Sequence, residues 1–339
     1  MHRRLRSFMV AAALGAALAA GGNAAAQPQE DIAAAQACQR TCLESYVTRY
    51  LQAMADGTVS DELFARDVRF TENGVELPLG KEGLWATTTA PGNYRLVVPD
   101  VLTQRVAALV TVFEQAGSSA TGPQRDAEAV GVSLRLRIDA AGRISEVEQI
   151  AARPDRPLGP NAAPPSGPFS ATGAAVEAMT APWPGYFATV PEAERHSRAE
   201  LVDMANHYFD AVERNTGKEY YPFTDDCVRY ENGVVTAGTP DTGARAGCRE
   251  QLETTLIGAV TGIRDRRIVA VDRERGIVFA FAFFDHRNIN WTWQLGELFK
   301  VENGAISRIE AIFIRGPYGM CSGWSTYAQC RSEAPQDER

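Results

Sequence analysis

The sequence predicts an α+β protein built from two tandem copies of one small domain. The first observation behind this is a repeated phrase. Val68-Arg69-Phe70-Thr71-Glu72-Asn73-Gly74-Val75 returns as Val228-Arg229-Tyr230-Glu231-Asn232-Gly233-Val234. The second is that its flanks repeat too: Tyr50-Leu51-Gln52-Ala53 returns as Tyr208-Phe209-Asp210-Ala211, and residues 142–150 return as 304–312. Each displacement is roughly 160 residues, a whole-domain spacing and not a solenoid period. The third is order, because helical periodicity opens each copy and strand periodicity follows it.

The opening helices rest on apolar residues at helical spacing. These are Leu43, Tyr46, Val47, Tyr50, Leu51 and Met54 in the first copy, and Leu201, Met204, Ala205, Tyr208, Phe209 and Val212 in the second. Strands follow. In the second copy, 268–271 and 277–284 flank the turn 272–276, and 291–301 and 305–314 flank Asn303-Gly304, a hairpin signal. The first copy echoes them at 106–113, 130–138 and 144–150. The strand at 277–284 is apolar throughout, which predicts cover on both faces. The expected map is a first domain at 38–151, a connector at 152–190, a second domain at 191–324 and a tail at 325–339. Eight prolines between Pro154 and Pro184 predict an extended connector, with Phe169 and the aromatic residues at 183–187 available to pack on a domain.

Residues 1–26 read as a secretory leader. His2-Arg3-Arg4-Leu5-Arg6 precedes an apolar run at 8–20, and Ala24-Ala25-Ala26 offers small residues for cleavage before Gln27. No other stretch is long and apolar enough for a membrane helix. Export to the periplasm or beyond makes disulfides the expected state of the six cysteines. Cys227 and Cys248 lie in one copy and can close a modest loop. Cys38, Cys42, Cys321 and Cys330 lie near the two ends, so bonds among them can staple the termini; the pairing stays open. A metal site is disfavoured, since there is no CxxC pair and only His196, His207 and His286 follow the leader. The net charge of −8, without basic clusters, argues against nucleic acid and anionic membranes as partners. Phosphate-loop, GxSxG and HExxH motifs are absent from the sequence, so no cofactor is expected.

Five phrases carry a family resemblance: Cys38-Gln39-Arg40-Thr41-Cys42-Leu43, residues 70–80 with Leu84-Trp85, Phe283-Phe284-Asp285-His286, Pro317-Tyr318-Gly319-Met320, and Ser322-Gly323-Trp324. On these the chain resembles an uncharacterised tandem SnoaL-like family of fungal secreted and biosynthetic proteins, in the polyketide-cyclase branch of the nuclear-transport-factor superfamily. The resemblance implies two cone-shaped domains, each with N-terminal helices packed on a curved antiparallel sheet around an apolar pocket. It also implies association through the open sheet face, here as an intramolecular pseudo-dimer or a homo-oligomer. That fold hosts isomerases, dehydratases, cyclases, lyases and plain binders, so fold alone does not choose the chemistry.

Asp285-His286 is the leading catalytic candidate, since a carboxylate and an imidazole at the end of an apolar strand can move a proton at neutral pH. His286 would act as acid or base and Asp285 would orient it. Tyr208, at the place Tyr50 takes in the first helix, would donate to a developing oxyanion, as the resemblance implies. The first copy has Glu114 where the dyad stands, with no histidine, so the second copy is the expected host. Arg229 and Arg69 are candidates for holding a substrate anion. Trp291 and Trp293 would line the pocket, and Trp85 would be a lid or an interface plug. Glu72-Asn73-Gly74 and Glu231-Asn232-Gly233 read as turns. The expected function is a cofactor-independent lyase, dehydratase or isomerase working by proton transfer on a small, largely apolar oxygenated compound, aromatic ones included. The alternative is a non-catalytic ligand-binding or self-association module.

Overall fold

The first half runs α1 (Arg40–Ala55), β1 (Phe64–Glu72), β2 (Val75–Glu76), α2 (Leu84–Thr87), β3 (Thr88–Asp100), β4 (Arg105–Glu114), β5 (Glu128–Ile138) and β6 (Ile144–Ala152). A short helix, α3 (Thr172–Ala178), lies in the connector. The second half runs α4 (Arg198–Glu213), β7 (Phe223–Glu231), β8 (Val234–Ala237), α5 (Cys248–Thr254), β9 (Gly262–Asp272), β10 (Ile277–His286), β11 (Trp291–Glu302) and β12 (Ala305–Pro317). A two-residue strand, β13 (Gln336–Asp337), comes last. The computed structural model describes residues 38–115, 126–155, 166–326, 330 and 336–337; the leader expected at 1–26 and part of the connector lie outside the described residues.

Both halves have one strand order. The first sheet is β2-β1-β6-β5-β4-β3, and the second is β8-β7-β12-β11-β10-β9 with β13 added at the β9 edge. The sheets are mixed rather than wholly antiparallel. β1 runs parallel to β6, and β7 parallel to β12, because the strand after each opening helix closes on the last strand of its half. That pairing is non-local, and periodicity does not reveal it. The Asn-Gly turns secure it. Asn73 donates its backbone N–H to Gln149 O (3.0 Å), and its side-chain oxygen accepts from Ala151 N (2.8 Å). Asn232 repeats this with Ala311 O (2.8 Å) and Phe313 N (2.9 Å). Both asparagines sit at positive φ, which Asn tolerates better than most residues.

α1 buries the six residues that its spacing predicts, and α4 buries all its predicted ones but Met204, which is partly covered. A Ser197–Glu200 capping box starts α4. Each helix covers one face of its own sheet. The other two faces pack together over Leu96, Val98, Leu109, Ile150, Phe279, Phe281, Leu298 and Ile312. Within that layer β3 meets β9 and β6 meets β12, so these strands face their counterparts in the other half. At the centre Gly296 leaves room for Ser133, which donates to Ile312 O at 2.9 Å; a Cβ on Gly296 would sit 2.6 Å from the Ser133 side chain.

Reciprocal ion pairs close the layer. Arg40, the first residue of α1, grips Asp272 at the end of β9 (2.6 and 2.7 Å) and reaches Glu274 (2.8 Å). Arg198, the first residue of α4, grips Asp100 at the end of β3 (2.6 Å). Inside the layer Glu148 of β6 takes Arg267 of β9 (2.6 and 2.8 Å), while Glu310 of β12 accepts from the Tyr94 hydroxyl of β3.

Two expectations change. The connector is not extended throughout, because residues 170–181 contain no proline and wind into α3. Val176 of α3 and Tyr186 then fill the inter-sheet layer. The terminal cysteines do not staple the ends together. Cys38 pairs with Cys42, one helical turn away, and Cys321 with Cys330; Cys227–Cys248 forms inside the second half. No helix among the described residues is long and apolar enough to cross a membrane.

Asp100 and Asp272 are almost fully buried, so removing either arginine leaves an uncompensated charge. Arg198→Ala and Arg40→Ala should each lower stability by about 3 kcal/mol. Urea unfolding should show this, and Asp100→Asn combined with Arg198→Ala should cost less than the sum of the two.

Candidate functional site

Strand alternation decides which side chains share a space. On β11, Leu295 and Phe299 face α4 and belong to the interior of the second half, so Glu297 between them does as well. Its neighbours in register are small, Ala280 on β10 and Ala311 on β12. From α4 the Tyr208 hydroxyl donates to Glu297 Oε1 at 3.3 Å. Arg229 of β7 is ion-paired with Glu231 and donates to Gln251 Oε1 at 2.9 Å. Gln251 is carried on α5, which the Cys227–Cys248 bond ties to β7. Phe209, Phe223 and Phe299 complete an aromatic wall around Tyr208.

This is a buried group of one guanidinium and two carboxylates, and the guanidinium neutralises only one of them. Burial pushes the Glu297 carboxyl up to about 8, with Arg229 pulling down and Glu231 pushing up. Glu297 therefore carries a proton at neutral pH. Its Oε2 has no partner among the described residues, nor has Arg229 Nε. Burial also raises Tyr208 well above its ordinary value. A neutral acid and a phenol held side by side in an apolar wall can hand a proton to an oxygen or hydrogen-bond a developing oxyanion.

The same positions in the first half carry other chemistry. Tyr50 matches Tyr208 and Glu72 matches Glu231, but Phe70 stands for Arg229, Leu134 for Glu297 and Gln149 for Ala311. Trp85 fills that interior, edge-on to Tyr50 and Phe64 and donating to Tyr50 Oη at 3.0 Å. Tyr50 in turn donates to Gln149 (2.8 Å), and Gln149 to Glu72 (2.9 Å). Arg153 spans Glu72 and Glu114. Trp85 is thus an interior plug, and Glu114 an ion-pair member.

The three residues expected to act together are not one site. Asp285 and His286 are adjacent on β10, so their side chains leave on opposite faces. Asp285 accepts from Arg264 (2.9 and 3.1 Å) and Thr292 (2.6 Å) and does not orient His286. His286 bonds Phe284 O through Nδ1 (3.0 Å) and stacks on Trp293, centroids 4.1 Å apart; burial lowers its pKa. It pairs with Trp291, six residues along β11 from Glu297, which is roughly 20 Å at strand rise. Arg69 also leaves the site. Thr71 makes the first phrase one residue longer than the second, so Arg69 pairs with Glu146 and points outward to Glu76 and Gly323 O, under the Trp324 ring. Trp291 is 40% exposed at the strand end, beneath Arg315. Sequence reading missed Glu297, although an acid between Leu295 and Phe299 on an apolar face was the signal.

A family model described as a domain of unknown function (DUF8021) matches residues 194–313, which includes Tyr208, Arg229, Glu231 and Glu297. No curated protein matches the chain. Among solved structures, "Crystal structure of a de novo designed protein with curved beta-sheet" is similar at 17% identity and a TM-score of 0.26, over 35% of this chain and 88% of that one.

Because Glu297 keeps its proton in the folded state, its contribution to stability falls as pH rises from about 4.5 to about 8 and is then flat. Glu297→Gln, which mimics the protonated acid, should gain stability relative to the wild type across that window. Thermal unfolding at a series of pH values should show the gap widening with pH; a constant gap would contradict the assignment.

Proposed function

We propose that the protein is a cofactor-independent lyase, dehydratase or isomerase that moves a proton inside the second of two SnoaL-like, cone-shaped domains. The observation that carries this is Glu297, a buried acid with an unpartnered oxygen beside Tyr208, where the first half has Leu134. Its alanine neighbours favour a small ligand above it. In this reading Glu297 and the Tyr208 hydroxyl bind a substrate carbonyl or leaving hydroxyl, and Glu297 gives up its proton. Glu231, seated on Arg229, is the carboxylate that takes a proton from carbon. The repeated strand order, with a helix over each sheet, supports the cone reading. Three disulfides favour work in the periplasm or outside the cell. The first domain then serves as scaffold, its interior taken up by Trp85.

The test is turnover of a panel of enolisable and β-hydroxylated carbonyl compounds. On a compound the wild type converts, Glu297→Gln and Tyr208→Phe should each lower kcat about a hundredfold or more, the range of a lost general acid. Tyr50→Phe in the first half should stay within a few-fold. Full activity in Glu297→Gln would exclude this mechanism and leave the binding-module reading.

A further inference from the structure

Each half closes its interior with a large ring, but the two rings differ in origin. In the first half the ring is Trp85, a residue of that half, and its N–H ends on Tyr50. The second half borrows one. Phe169 comes from the connector, and every other member of that buried cluster lies between residues 201 and 313. Phe169 meets Trp293 and Phe313 edge-on, centroids 5.4 and 5.3 Å away, and Arg315 lays its guanidinium over the ring at 4.2 Å. It rides on a three-residue turn, Gly167–Phe169, that enters through Gly167 at positive φ. Asn232 donates to Pro168 O (3.0 Å) and the Asp155 N–H donates to Phe169 O (3.1 Å), while the Asp155 carboxylate pairs with Arg315.

A phenyl ring has no hydrogen-bonding group, and the atoms around it show the consequence. The Trp293 indole N–H is buried without a partner among the described residues. His286, stacked on Trp293, spends Nδ1–H on Phe284 O and keeps Nε2 to accept. Trp293 touches Phe169 and His286 touches Trp293, so one donor and one acceptor belong to the rings that line this cation-covered aromatic slot. A phenol answers all three, because its hydroxyl accepts from Trp293 and donates to His286 while its electron-rich ring suits the Arg315 guanidinium.

We propose that Phe169 occupies a ligand subsite, and that this end of the second half binds a phenolic ring that enters by displacing it. The subsite rests on the reading that the second interior is the working one. It assigns His286, Trp293 and Arg315 to recognition, apart from the proton transfer at Glu297.

The probe is 2-naphthol, followed by its own fluorescence with the full chain. Phe169→Ala should bind it at least tenfold more tightly than the wild type. Adding Trp293→Phe, which keeps a ring but removes the N–H, should abolish most of that gain, and naphthalene should gain much less than 2-naphthol. If Phe169→Ala melts like the wild type and binds no more tightly, the proposal falls. It also falls if the gain survives Trp293→Phe. Should Phe169→Ala not fold, Phe169→Leu gives the readout, with a smaller gain expected and no gain overturning the proposal. Binding is read without turnover, so a failure here leaves the role of Glu297 untouched, and an inactive Glu297 does not affect this result.

Discussion

The packing of one sheet on the other is the constraint from which the rest follows. Each sheet has two apolar faces, and one helix covers only one of them. Joining the remaining faces removes both from water, and it does so by setting strands against their own counterparts. Ion pairs then bridge the ends of that layer. Arg40–Asp272 and Arg198–Asp100 are the same contact made twice, between the start of one half's helix and the end of β9 or β3 in the other half. Sliding either sheet would strand a carboxylate, because Asp100 and Asp272 are almost fully buried.

Around this shared inter-sheet layer the two interiors differ. The first filled its space with Trp85 and wired its polar groups into a chain running from Tyr50 through Gln149 and Glu72 to Arg153. Such a satisfied network is rigid and has no group left to offer. The second replaced Phe70, Leu134 and Gln149 by Arg229, Glu297 and Ala311, which adds charge and removes bulk at once. Its carboxylates outnumber its cations, so a proton must make up the difference. An unpartnered buried oxygen such as Glu297 Oε2 is destabilising, and Glu310 of the inter-sheet layer carries another.

Much of this was legible from residue order. The doubling, the stripes of the two opening helices and the Asn-Gly turns all come from local pattern. The grouping of the polar side chains was legible only in part. Tyr208 and Arg229 lie beside Glu297, whereas Asp285 turns to Arg264 and His286 to Trp293. Neighbours in sequence suggest a dyad, but a strand sends them to opposite faces. Arg69 and Arg229 look equivalent in the repeated phrase, and one additional residue, Thr71, turns the first outward.

The sequence by itself determined that the chain contains two like halves, that each begins with a helix and ends in strands, and that the cysteines are even in number. These are properties of short stretches, set by period, turn chemistry and composition. Tertiary structure alone decided which strands run parallel, which cysteines meet, which connector ring closes the second interior, and that Glu297 lies against Tyr208. Each of these joins residues far apart in the chain, or depends on which face a side chain takes, and a shift of one residue reverses that face.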